Sequence, residues 1–171
     1  MNDIDAAGPE HGWQPLPDAA RIVYRVNGLL GLGLPGLGGA VAVFVLAGSA
    51  FDRSTSAMLA LPVLVLVLAI GLGWLLGGRR HGRIRVRLDD DGLSLRRGLC
   101  WRSETLIPRS RVQHMDIERG PLLRRLGLAT LVTHTAGTRL NALRVVGLDL
   151  TKARRIRDAL VDRAAGDDDA V

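Results

Sequence analysis

Leu59–Leu76 reads LALPVLVLVLAIGLGWLL, eighteen residues with no charged side chain. Coiled as an α-helix at roughly 1.5 Å per residue, such a run nearly covers the roughly 30 Å hydrocarbon core of a bilayer. The uncharged stretch extends outward on both sides, from Ser54 to Gly78. Asp52 and Arg53 interrupt it, and Val26–Phe51 is a second run free of ionisable residues. A pair of buried core helices would show the same composition. The rest of the chain is too small to wrap two of them, so the expectation is two membrane spans. Phe51–Ser54 then forms a tight connection and makes the two helices antiparallel neighbours.

The flanks of this hairpin give its orientation. Arg21 and Arg25 precede the first span, and Arg79, Arg80 and Arg83 follow the second, whereas the tip offers only Arg53 beside Asp52. The positive-inside rule therefore puts both termini in the cytoplasm and the tip outside, with Tyr24 and Trp74 at the cytoplasmic interface. Small residues allow close helix approach: Gly73 and Gly77 form a G-x-x-x-G pair, and Gly36 with Ala40 a small-x-x-x-small pair. Gly31-Leu32-Gly33-Leu34-Pro35-Gly36 matches the dinucleotide fingerprint G-x-G-x-x-G by letter. That motif requires a preceding strand and a helix opening at its end. Inside a membrane span it reads as helix packing.

Beyond Arg79 the rhythm shifts to period two. Arg83, Arg85 and Arg87 alternate with Ile84, Val86 and Leu88, a half-buried strand with a basic outer face. Asp89-Asp90-Asp91-Gly92 is a hairpin turn. Strands follow at Leu93–Arg97, Leu99–Ile107, Val112–Arg119, Leu128–Thr135 and Thr138–Val146, with turns at Gly98 and at Ala136-Gly137. A short helical turn opens at Gly120-Pro121 and closes at Gly127. A final helix, capped by Asp149 or Thr151, places Ala153, Ile156, Leu160 and Ala164 on one face. The fold class is α+β: a two-helix membrane hairpin, then antiparallel strands closed by a C-terminal helix. The domain reading is a flexible tail over 1–20, the hairpin over 21–78, a cytoplasmic domain over 79–165 and an acidic tail over 166–171. The first twenty residues lack the basic start and apolar core of a secretory signal, so no cleavage is expected.

The stretch Ile107-Pro108, Arg111-Val112-Gln113, Gly120-Pro121-Leu122, Arg125, Leu126-Gly127-Leu128-Ala129 and Ala136-Gly137 resembles the bacterial pleckstrin-homology, or membrane-flanked, domain of YdbS-like proteins. The resemblance covers about Arg83–Ala164, and the preceding two-span hairpin matches the usual layout of that family. It implies a PH-like fold, a bent seven-stranded barrel closed by a C-terminal helix. It also implies a larger protein with several such domains as one partner. One departure concerns the first hairpin. Relatives of the fold that hold phosphoinositides use a basic first hairpin there, whereas three carboxylates at Asp89–Asp91 would repel a polyphosphate.

Composition narrows the chemistry. Formal net charge is +6, and Lys152 is the only lysine, so the positive charge is almost all arginine. This favours anionic partners. Cys100 is the only cysteine, so neither an internal disulfide nor a cysteine metal cage is available. His11, His81, His114 and His134 lack metal-ligand spacing. Ser110, His114, Asp116 and His134 lie on strands with no nucleophile elbow, and His114, Asp116 and Glu118 share one strand face as solvated or ion-paired surface. No catalytic residue, metal, cofactor or small-molecule substrate is therefore expected. Nucleic-acid binding would need aromatics among the basic residues, and Trp101 alone in the domain does not supply them. Arg79, Arg80 and Arg83 either set topology alone or also contact lipid headgroups. Leu122, Leu123, Arg124 and Arg125 combine an apolar anchor with arginine, a composition suited to a partner interface. The expected function is a non-enzymatic interaction or scaffold module on the cytoplasmic face of a bacterial inner membrane. Its partners would be membrane lipids and either copies of itself or other membrane proteins. An anionic-lipid sensor is the alternative.

Overall fold

The computed structural model describes residues 12–50, 55–135 and 142–168. The hairpin tip at Phe51–Ser54 and the turn at Ala136-Gly137 lie outside the described residues. The chain divides into two compact units, one formed by Arg21–His81 and the other by the segment up to Ala20 together with Gly82 onward.

In the first unit, α1 spans Ala20–Ala50 and α2 spans Thr55–His81. Within them, Ala20–Leu46 (27 residues) and Leu59–His81 (23 residues) are long and apolar enough to cross a membrane. Only 6% and 11% of their most apolar stretches are buried within the protein. That decides against core helices of a soluble protein, which would be mostly buried. Side chains such as Leu34, Leu46 and Val67 are more than half exposed, and apolar surface of this extent and length suits a bilayer. Asn27 and the two internal prolines, Pro35 and Pro62, leave both helices continuous. The Gly31–Gly36 run sits wholly inside α1.

Glycines hold the two helices together. A Cβ placed on Gly28 would strike the Gly73 carbonyl, one on Gly77 the Tyr24 carbonyl, and one on Gly36 the Ala69 methyl. Val65 lies against Gly39. Partners therefore run in opposite directions along the two helices, so these are antiparallel. With no hydrophobic drive between helices in lipid, this close backbone approach supplies the attraction. At one end Arg25 stacks on Trp74, 4.6 Å from the ring centroid, and Tyr24 meets His81 at 6.0 Å between centroids.

The second unit contains two antiparallel sheets and a helix. One sheet has the order β1 (Gln14–Pro15), β2 (Arg85–Asp89), β3 (Gly92–Arg97), β4 (Ser103–Pro108). The other comprises β5 (Val112–Glu118), β6 (Leu128–Thr135) and β7 (Ala142–Asp149). A short helix α3, Pro121–Arg125, joins β5 to β6, and α4, Leu150–Asp168, packs on all three strands of the second sheet. Alternation builds the core. Val86, Leu93, Leu95 and Ile107 face inward from the first sheet, and Met115, Leu131, Val145 and Leu148 from the second. Ala153, Ile156 and Leu160 of α4 are all buried. Their i, i+3, i+7 spacing puts them on one helical face. This α+β arrangement of two antiparallel sheets closed by a C-terminal helix is a PH-like fold.

Several boundaries differ from the sequence reading: the first of the period-two strands begins at Arg85 rather than Arg83, and the last strand extends to Asp149 rather than Val146. Residues 12–20 are not a loose tail. Gln14 and Pro15 pair with Val86 and Arg85, Leu16 is buried, and Trp13 lies beneath Arg96 and Arg87 at 4.3 and 5.3 Å. Two prolines mark an edge strand as readily as a tail, and β1 uses Pro15 at the sheet edge. β4 starts at Ser103 rather than Leu99, because Gly98–Arg102 forms the loop. α4 continues through Gly166 to Asp168.

Candidate functional site

Three surfaces carry charged or reactive side chains. The first lies at one end of the β1–β4 sheet. Register pairs Arg85 with Arg96, Arg96 with Glu104, and Arg97 with Ser103. Cross-strand pairing thus gathers arginines that are distant in sequence. An open cavity of about 490 Å³ results, lined by Gly82, Arg83, Arg85, Arg96, Arg97, Gly98, Arg102, Ser103 and Glu104. Arg96 is held by Glu104 at 2.8 Å and by the Trp13 face. Arg85 donates to the carbonyls of Gly82 (3.1 Å) and Ile84 (2.9 Å). The guanidinium groups of Arg83, Arg97 and Arg102 have no hydrogen-bonding or ionic partner among the described residues. The sequence marks Arg83 as a lipid-headgroup candidate but assigns Arg85, Arg96, Arg97 and Arg102 to no site. Arg79 and Arg80, at the exposed end of α2, do not line this cavity. The signal available in the sequence was Arg96-Arg97 and Arg102 on either side of a turn.

The second surface is the α3 turn. Pro121 occupies the first helical turn, where its missing N–H costs nothing. No residue of α3 is buried. Leu122 is 37% exposed, Leu123 and Leu126 are half-buried, and Arg124 and Arg125 are exposed, their guanidiniums without a partner among the described residues.

The third is on β5 and β6. Register sets His114 opposite His134. His114 Nε2 lies 2.9 Å from Asp116 Oδ1, and His134 Nε2 lies 3.6 Å from Asp116 Oδ2. The trio is largely exposed, and neither imidazole is hydrogen-bonded to a serine or cysteine among the described residues. Ser110 lies in the short turn Arg109–Arg111, before β5. No group of three or more His, Cys, Asp or Glu among the described residues is placed to hold a metal ion. Glu118, on the same face, pairs with Arg144.

The acidic first hairpin is internally compensated. Arg87 pairs with Asp89 at 2.6 Å, and Arg109 reaches the Asp89 carbonyl at 2.6 Å and Asp90 at 3.9 Å. These guanidiniums are occupied by the turn itself, which leaves no open basic cradle there.

A family model described as Bacterial PH domain matches residues 32–164. The chain belongs to the bacterial PH domain family. Beyond the two sheets and α4, the match takes in α2 and much of α1. Among curated relatives of this bacterial PH domain protein is the transmembrane protein YdbS of Bacillus subtilis (strain 168). It is 31% identical over 111 residues, covering 60% of this chain and 68% of the relative. The bacterial PH domain here is thus that of a YdbS-like membrane protein. No solved structure matches the chain.

Proposed function

We propose that this chain is a membrane-anchored, non-enzymatic interaction module. Its PH-like domain faces the cytoplasm and assembles with itself or with other membrane proteins, including a larger protein with several membrane-flanked PH-like domains. The observation that carries this reading is the α3 turn: an exposed Leu122 beside Arg124 and Arg125, neither of whose guanidiniums has a partner among the described residues. An apolar anchor next to arginine is a composition enriched at interfaces, and an arginine without an internal partner is available to an acidic surface. The catalytic alternative lacks a base–nucleophile pair among the described residues, and the uncharged runs 26–51 and 54–78 offer no ionisable side chain to build a site within the membrane. The orientation rests on Arg21, Arg25, Arg79, Arg80 and Arg83 flanking the spans on one side.

The test is cross-linking in native membranes, comparing the wild-type chain with Arg124→Glu combined with Arg125→Glu. Both positions are exposed, so stability should change by no more than about 0.5 kcal/mol. Charge reversal should abolish cross-linked partner species while the protein remains inserted. Undiminished cross-linking in a folded double variant removes α3 from the interface.

A further inference from the structure

We infer that the arginine-lined cavity and the adjoining Gly98–Arg102 hairpin form a docking site for the phosphate headgroups of anionic lipids. The inference is independent of the partner surface at α3. Five arginines line the cavity against a single carboxylate, Glu104, which Arg96 already occupies. Gathering uncompensated like charges is unfavourable unless a counter-charge is supplied. Topology alone requires basic residues near a span in sequence. It does not require Arg97 and Arg102 to be brought in space beside Arg83.

Two further features select a membrane as the source of that counter-charge. Trp101, at the tip of the same hairpin, is 90% exposed, and Cys100 beside it is exposed too. An indole so presented is costly in water but favoured at the bilayer–water interface. Gly98 holds the tip in place: its φ is +136°, and a Cβ there would strike the Trp101 carbonyl. The tether is also short. Only Gly82 separates Arg83 from His81, the end of the second candidate span, so those two Cα atoms lie within roughly 7 Å. A basic cavity on so short a leash meets headgroups at high effective concentration. The site lies at the opposite end of the β2–β3 hairpin from the acidic Asp89–Gly92 turn.

Cys100, the only cysteine of the chain, permits a direct test on the full-length protein. It is labelled with an environment-sensitive fluorophore and reconstituted in nanodiscs of phosphatidylcholine, with or without phosphatidylglycerol. Phosphatidylglycerol should shift the emission to the blue and shield the label from aqueous iodide, and high salt should reverse both effects. Arg97→Gln with Arg102→Gln should weaken the docking equilibrium by about thirtyfold, since each basic residue near an anionic surface contributes about fivefold. Arg97→Lys with Arg102→Lys, which keeps the charge, should retain most of the response. Inorganic phosphate added to phosphatidylcholine nanodiscs should leave the emission unchanged. Equal signals in the two lipid compositions would overturn the proposal, as would a glutamine variant that responds like the wild type. A full response to inorganic phosphate alone would reassign the site to a soluble anion and overturn the lipid source.

Discussion

Single residues decide the shape of the β2–β4 meander. Gly92 and Gly98 both take positive φ, +142° and +136°, and a Cβ at either would meet a carbonyl across the turn, that of Ile107 or Trp101. Side chains avoid this backbone region, so the arginine cavity depends on a glycine at position 98. Gly98→Ala should destabilise the domain by about 1–3 kcal/mol. Gly120, with no positive φ and open space around it, is the matched control, and Gly120→Ala should be close to neutral. Denaturant titration of the full chain in mild detergent checks both, and equal losses would remove the strain argument. Gly98 is visible in the sequence as a turn, but the contact that forbids a side chain is not. It comes from Trp101, and the hairpin fold alone brings that residue back.

At the scale of elements, the spans were legible because hydrophobic run length is a one-dimensional quantity, and the bilayer sets the threshold. Which glycines touch was only half legible. G-x-x-x-G spacing marks Gly73 and Gly77, but their neighbours on α1, Gly28 and Tyr24, carry no comparable signature. Gly73→Leu would drive a branched side chain into the Gly28 backbone, whereas Val67 is 58% exposed. Gly73→Leu should therefore lower hairpin stability in detergent by about 1 kcal/mol or more, with Val67→Leu near zero. Thermal unfolding in detergent measures the difference, and matching curves would argue against close packing there. Strands β2, β3 and β5 to β7 were readable from alternation, as was the buried face of α4. β1 was not, because a strand of two residues, Gln14 and Pro15, has no period to detect. Their placement depends on a free edge of β2.

For the whole molecule, the asymmetry of arginines about the two spans leads to one further expectation. A reporter fused after Val171 should read cytoplasmic, and one inserted between Asp52 and Arg53 should read external. The reverse pattern would invert the assignment of both termini. Membrane residence, the α+β class and the α3 surface follow from residue order alone, because each rests on local composition, on period or on a short motif. The arginine cavity does not. Arg83, Arg85, Arg96, Arg97 and Arg102 come from three separate parts of the chain; along the sequence only Arg83 stands out, by its nearness to the second span, and the other four look like ordinary solvated strand or turn charges. Antiparallel register places Arg85 opposite Arg96 and Arg97 opposite Ser103, and it is this pairing that concentrates the charge. The same holds for His114 and His134, twenty residues apart in sequence and adjacent across β5 and β6. Run length and periodicity are local properties of a chain; charge density on a folded surface depends on which strands pair and in what register, and only the tertiary structure settles that.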